Sequence, residues 1–199
     1  MCPLPSNERS SKPGIRLSRT LEAGQAIYQA GGDGLAWRVR HGVVRLDTPT
    51  INGETTFASL AIGGDILGCE TLLFGCYTFT ASALTRCELN PWPEGEPAIA
   101  GEALLASLTI AQRRAADIVA LRGGQAVDRV IGLIRLLTDS AGQVVLPTRQ
   151  DIADITDLRF ETISRIIKSL ERARVLAPLR IAGVHATRSF QVDLAATAY

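Results

Sequence analysis

The sequence predicts an α+β chain in three parts, and three observations carry that expectation. Glycines punctuate the first half between short β-branched and aromatic runs. An Ala- and Leu-rich segment without an internal proline follows. Near the C-terminus a short capped helical pattern, a three-residue break and a longer helical pattern stand in succession. The first is the pattern of an antiparallel barrel or sandwich, the second of a long amphipathic helix, and the third of a helix-turn-helix.

With 46% of its 199 residues hydrophobic, the chain has ample material for a core and reads as folded rather than disordered. Its length suits one large domain or two small ones. No apolar run reaches the roughly 18 to 20 residues of a membrane span. Met1 to Lys12 is polar and Pro-rich, without an apolar signal region, so the expectation is a soluble, cytoplasmic protein with no membrane partner. A formal net charge of +1 speaks against a surface that is basic throughout, yet only a face that meets phosphate must be positive. The cysteines, Cys2, Cys69, Cys76 and Cys87, include no CxxC pair, which leaves reduced thiols as the expectation and removes zinc-ribbon and thioredoxin-type sites. His41 and His185 are too few for a His-rich metal site. That shortage opposes a cupin-type enzyme, so no metal and no catalytic residue is expected.

Taken in order, residues 1–13 read as a flexible N-terminus and residues 14–96 as the β domain. Its strand candidates are Ala26 to Tyr28, Trp37 to Val39, Val43 to Leu46, Thr55 to Phe57 and Tyr77 to Thr80. Asn52-Gly53 lies between two of them and predicts a tight type I′ hairpin, which needs positive φ at both residues. Residues 97–122 form the long helix, with Leu104, Leu105, Leu108, Ala111, Ala115 and Ile118 at helical spacing. A helix of that length exceeds what a small barrel can cover, so this stripe is expected to pack on a second copy of itself. Gly123-Gly124 costs about 2 kcal/mol against two alanines in a helix interior and predicts a hinge into residues 123–199. A further amphipathic helix, Val127 to Leu137, opens that last part.

Thr148 is a natural N-cap with Asp151 placed to reach back, and Ile152, Ala153 and Ile155 give the short helix an apolar face. Thr156-Asp157-Leu158 is the break. Arg159 to Arg174 then resumes helical periodicity with Ile163, Ile166, Ile167 and Leu170 inward. Opposite them Glu161, Ser164, Arg165 and Lys168 share one stripe. Arg165 can donate two parallel hydrogen bonds to guanine O6 and N7, Glu161 can accept from a cytosine or adenine amino group, and Ser164 can approach a thymine. Thr148, Arg149, Gln150, Thr162 and Lys168 are the candidates for phosphate contact, which fixes register without reading sequence. Between Arg159 and Arg180 six basic residues (Arg159, Arg165, Lys168, Arg172, Arg174, Arg180) face two acidic ones (Glu161, Glu171), a local excess of four positive charges. The neutral total conceals a basic segment, and the expected partner is double-stranded DNA.

On these residues the chain resembles the CRP/FNR family of bacterial transcription regulators. Leu21 to Tyr28 is similar to the family's opening strand, Val39 to Leu46 to its glycine turn, and Gly64-Asp65-Ile66-Leu67-Gly68 to its Gly-Asp strand. Thr148 to Ala153 and Glu161-Thr162-Ile163-Ser164-Arg165 are the most specific, the latter matching the E-x-x-S-R pattern of the FNR and FixK branch. The resemblance implies a β-roll sensor domain (double-stranded, jelly-roll-like), a dimerisation helix and a C-terminal winged helix-turn-helix, with the wing in Leu179 to Val192 and its turn at Ala182-Gly183. It implies a homodimer on a palindrome of TTGAT-like half-sites, because Phe160 stands where cyclic-AMP receptor-type members have arginine, and action on RNA polymerase. Two positions depart from the pattern: Asp157 replaces a frequent glycine, and Arg159 replaces a Ser or Thr cap.

For the sensor, the resemblance places Phe79-Thr80 where cyclic-nucleotide-binding members have an arginine followed by Ser or Thr. Phenylalanine cannot donate to a phosphate, so cyclic AMP is not expected to bind in the usual way, although Glu70 remains. The chain also lacks the N-terminal cysteine cluster that an FNR-type iron–sulfur cluster requires. Cys69, Cys76 and Cys87 are the candidates for a redox site, set against their reading as small core residues. The competing function is a β-roll small-molecule or redox sensor whose main role is not DNA binding.

Overall fold

The computed structural model describes residues 18–93, 97–180 and 188–193. Two compact units are present, Met1–Ala115 and Ala116–Tyr199. Their division falls inside the long helix.

The first unit contains β1 (Arg19–Leu21), β2 (Ala26–Tyr28), β3 (Ala36–His41), β4 (Val43–Pro49), β5 (Thr55–Ile62), β6 (Ile66–Leu67), the one-turn helix α1 (Thr71–Phe74), β7 (Thr80–Ala83) and β8 (Cys87–Trp92). Two four-stranded antiparallel sheets result, in the orders β1-β8-β3-β6 and β2-β7-β4-β5. Their inward residues, among them Val39, Val44, Ala81, Ala83, Cys87 and Leu89, share one core with Tyr28, Trp37 and Tyr77. Between β3 and β4 the turn depends on glycine. Gly42 has φ +93°, and a Cβ there would overlap the Arg86 carbonyl and Cys87.

Three strand-level expectations need correction. The β4–β5 hairpin is centred on Asn52-Gly53, but only Gly53 has positive φ. Gly53 N–H donates to the Thr50 carbonyl and Thr50 N–H to the Glu54 carbonyl, which makes a three-residue loop ending in a left-handed glycine rather than a type I′ turn. Tyr77 to Phe79 is not strand. The Tyr77 backbone instead exchanges hydrogen bonds with Gly31 and Gly32, and the strand begins at Thr80. The segment from Leu21 to Tyr28 is two short strands separated at Gly24, whose φ is +88°.

The long helix α2 spans Pro97–Ala120. After it come α3 (Ala126–Leu137), β9 (Gln143–Val145), α4 (Arg149–Thr156), α5 (Phe160–Arg172), β10 (Leu176–Pro178) and β11 (Ser189–Val192). The second unit carries a three-stranded antiparallel sheet in the order β10-β11-β9. Its buried residues include Leu133 and Ile134 from α3, Ile152 and Ile155 from α4, Ile163 and Ile167 from α5, and Leu176 and Phe190 from the sheet. The expected wing turn at Ala182-Gly183 lies outside the described residues. No helix among the described residues is long and apolar enough to cross a membrane.

Candidate nucleic-acid interface

The start of α4 is fixed by a capping box. Thr148 Oγ1 accepts from Asp151 N–H at 3.1 Å, and Asp151 Oδ2 accepts from Thr148 N–H at 3.2 Å. Such a cap contributes about 1 kcal/mol. At the other end Asp157 adopts the left-handed conformation, φ 53° and ψ 48°, and sends its N–H to the Ala153 carbonyl. Aspartate tolerates that region better than most residues, so the chain reverses into α5 without the family's glycine. Arg159 is the N-cap of α5 in extended conformation and makes no side-chain cap hydrogen bond.

One face of α5 is sealed into the unit by Ile163, Ile166, Ile167 and Leu170. Glu161, Arg165 and Lys168 stand exposed on the other, with Ser164 and Thr162 half-buried. Arg165 Nε lies back along the helix, donating to the Glu161 carbonyl at 3.4 Å. A bond of that length is weak and leaves the guanidinium available to a better acceptor. Thr148 and Gln150 are exposed at the start of α4, Gln150 Nε2 donating to Asp154 Oδ1. Arg149 is half-buried. Burial lowers its pKa, as does neighbouring Arg188, while Glu171 opposes the shift.

Phe160, which the resemblance sets at the position of an arginine in cyclic-AMP receptor-type members, stands at the first turn of α5 and is 48% exposed. The fold also adds two arginines with no counterpart in the sequence reading. Arg122 and Arg129 donate to the carbonyls at the C-terminal end of α4. No spacing pattern in the sequence links them to that helix end.

Along α2 the expected stripe divides between two faces. Leu104 is half-buried against the Ala36–Trp92 cluster, and Ile118 is 5% exposed. Leu105, Leu108, Ala111 and Ala115 are exposed. On the covered face, Ser107 accepts from Ile66 N–H and Arg114 forms an ion pair with Asp65. The exposed face continues through Gln112 to Val119, so Leu105, Leu108, Gln112, Ala115 and Val119 recur at alternating spacings of three and four.

In the β domain, Glu70 Oε1 accepts from both Thr78 N–H and Thr78 Oγ1, and Phe79 is half-buried. The Tyr77 ring stacks on Tyr28. Cys69 is half-buried and free, and Cys87 is free in the core. Cys76 is disulfide-bonded, which corrects the expectation of reduced thiols at that position. Burial raises the pKa of both free thiols, most at Cys87, to about 11. Among the described residues no three of His, Cys, Asp or Glu form a group that could hold a metal ion.

No protein-family model matches the chain. The nitrogen fixation regulation protein FixK of Rhizobium meliloti (strain 1021) is 29% identical over 170 residues, which cover 82% of this chain and 80% of that protein. The protein of the same name from Bradyrhizobium diazoefficiens is 31% identical over 157 residues, 71% of this chain and 65% of its own length. Two solved structures from Thermus thermophilus are also similar. One is a CRP-family transcriptional regulator with a TM-score of 0.70 at 24% identity, covering 89% of this chain and 93% of that one. The other is a transcriptional regulator of the CRP/FNR family with a TM-score of 0.59 at 25% identity, covering 90% and 95%.

Proposed function

We infer that this chain, a DNA-binding transcription regulator of the CRP/FNR family, binds a palindrome of TTGAT-like half-sites as a homodimer and acts on RNA polymerase. The observation that carries the reading is α5 itself: four isoleucine and leucine side chains seal one face while Phe160, Glu161, Arg165 and Lys168 stand clear on the other. A helix so placed can enter the major groove, whose donor and acceptor pattern distinguishes all four base pairs. Arg165 then pairs with guanine, Glu161 with a cytosine or adenine amino group, and Ser164 with a neighbouring thymine. The exposed Phe160 ring offers apolar contact to a thymine methyl and cannot donate the bidentate bonds that guanine would require. Thr148, Arg149, Gln150, Thr162 and Lys168 hold the phosphates.

For the dimer, the exposed stripe of α2 is the seam: Leu105, Leu108, Ala111, Ala115 and Val119, with Leu104 and Ile118 serving the chain's own packing. A two-fold axis through paired helices matches a palindrome whose half-sites lie about one helical turn apart. The β domain is a sensor closed to cyclic AMP in the usual mode, since Phe79 offers nothing to a phosphate and Glu70 is engaged by Thr78.

A gel shift on a TTGAT-N4-ATCAA duplex tests the reading. Binding of that duplex in preference to a scrambled one is the expected result, and absence of binding even at low salt would overturn it.

A further inference from the structure

Every carbonyl that α4 leaves unsatisfied at its C-terminal end is occupied, and arginine supplies three of the four. The last four carbonyls of a helix have no partner within it. The Ala153 carbonyl takes Asp157 N–H and Leu158 N–H. The Asp154 carbonyl accepts from Arg122 Nη2 at 3.2 Å and the Ile155 carbonyl from Arg122 Nε at 3.3 Å. The Thr156 carbonyl accepts from Arg129 Nη1 at 3.3 Å. The remaining nitrogens of Arg129 turn the other way. Its Nε donates to the Gly123 and Gly124 carbonyls at 3.2 Å each, and its Nη2 to Gly124 at 3.1 Å.

These two side chains come from either side of the glycine pair. Arg122 follows the last turn of α2, and Arg129 lies in the first turns of α3. Between them Gly124 has φ +74°, a conformation that glycine adopts freely and other residues rarely do. Two adjacent glycines give this link wide backbone freedom unless something holds it. The positive guanidinium groups meet the negative end of the α4 dipole, and each reaches two or more carbonyls from separate nitrogens of a rigid planar fork, a spread that the single ammonium nitrogen of lysine does not reproduce.

We propose that Arg122 and Arg129 are positioning residues for DNA reading: together they clamp the helix-turn-helix to the glycine link after α2, fixing the direction in which α5 is presented. The proposal rests on the DNA-binding reading above and assigns these residues no contact with DNA. It follows that the clamp governs how well two reading helices engage two half-sites at once, and not how one helix engages one half-site. When geometry prevents simultaneous engagement, the gain from joining two binding events disappears.

The experiment measures affinity for a series of palindromes that differ only in the spacer between half-sites, and for a duplex carrying a single half-site. Wild type, Arg122→Gln, Arg129→Gln and the charge-preserving pair Arg122→Lys and Arg129→Lys are compared at one salt concentration. Wild type should favour one spacing sharply. In the glutamine variants that optimum should weaken by about tenfold while neighbouring spacings and the single half-site change little, giving a flattened profile. The lysine variants should resemble the glutamine ones, because charge alone does not bridge the carbonyls. A uniform loss at every spacing would mark mere destabilisation and overturn the proposal, as would an unchanged profile. If a glutamine variant fails to fold, the lysine variants decide by the same comparison. Failure of wild type to prefer any palindrome over scrambled DNA would instead remove the DNA-binding reading itself.

Discussion

The rings of Tyr28 and Tyr77 stack with centroids 3.8 Å apart and planes 7° from parallel, and the Tyr77 hydroxyl reaches across to donate to the Leu35 carbonyl at 2.6 Å. Gly34 and Gly68 border this ring so closely that a Cβ at either would overlap it, and Gly68 also has φ +67°. Gly68→Ala should therefore lower the stability of the β domain by about 1–3 kcal/mol through overpacking. Tyr77→Phe keeps the ring, loses the donor and should cost about 1 kcal/mol. Thermal melts of the two variants check the order; equal losses would mean that the close approach of the glycines is not what the site requires.

Asp65 and Arg114 are both nearly buried. Arg114 Nη2 donates to Asp65 Oδ1 at 3.3 Å, while Nε lies 3.1 Å from Oδ2 without hydrogen-bond geometry. Burial raises the Asp65 carboxyl above 3.8 despite the Ile62 N–H and Arg114. The folded state thus binds that proton more tightly than the unfolded chain. Its contribution to stability is present below pH 3.8 and is lost as pH rises through the raised folded value. Arg114→Met strands the carboxylate and should cost about 3–5 kcal/mol at pH 7. The loss should shrink on acidification as Asp65 takes up its proton. Adding Asp65→Leu should recover most of the loss at pH 7. Denaturant titrations at two pH values decide, and a loss independent of pH would refute the account.

The turn between α4 and α5 makes a smaller claim. Because Asp157 is exposed and left-handed, Asp157→Gly should stabilise the second unit slightly, whereas Asp157→Val should cost about 1–2 kcal/mol. Opposite shifts in melting temperature are expected from these two variants.

Base reading and phosphate holding separate by mutation. Arg165→Ala should cost about 1–3 kcal/mol on the preferred duplex and relax discrimination at the guanine. Lys168→Ala should weaken all duplexes alike and reduce the salt slope by about one. Phe160→Arg should move preference from thymine toward guanine at one position of each half-site. Binding measured across single-base variants of the palindrome tests all three, and a change of base preference in Lys168→Ala would break the division of roles.

Much of this molecule is legible in its sequence because local chemistry dominates where the legible features lie. The Thr148–Asp151 cap, the Asp157 turn and the buried face of α5 are set by residues within one or two helical turns of each other. The failures share a different cause. The stripe on α2 mixes Leu104 with Leu105 because a helix with apolar residues on two faces does not declare which one its own chain covers. The α4 carbonyls that Arg122 and Arg129 reach, and the Asp65 carboxylate that Arg114 meets, lie between 27 and 49 residues away, a range at which spacing carries no signal.

Cys87 gives the β domain a chemical clock. Its sulfur is fully buried, donates toward the Val43 and Thr85 carbonyls, and has its pKa pushed up to about 11, so the nucleophilic thiolate is scarce and inaccessible while the two sheets stay closed. An alkylating reagent can modify it only during excursions that part β3, β4 and β8. In a Cys69→Ser background, the rate of that modification would time the breathing of this domain under any condition or candidate signal.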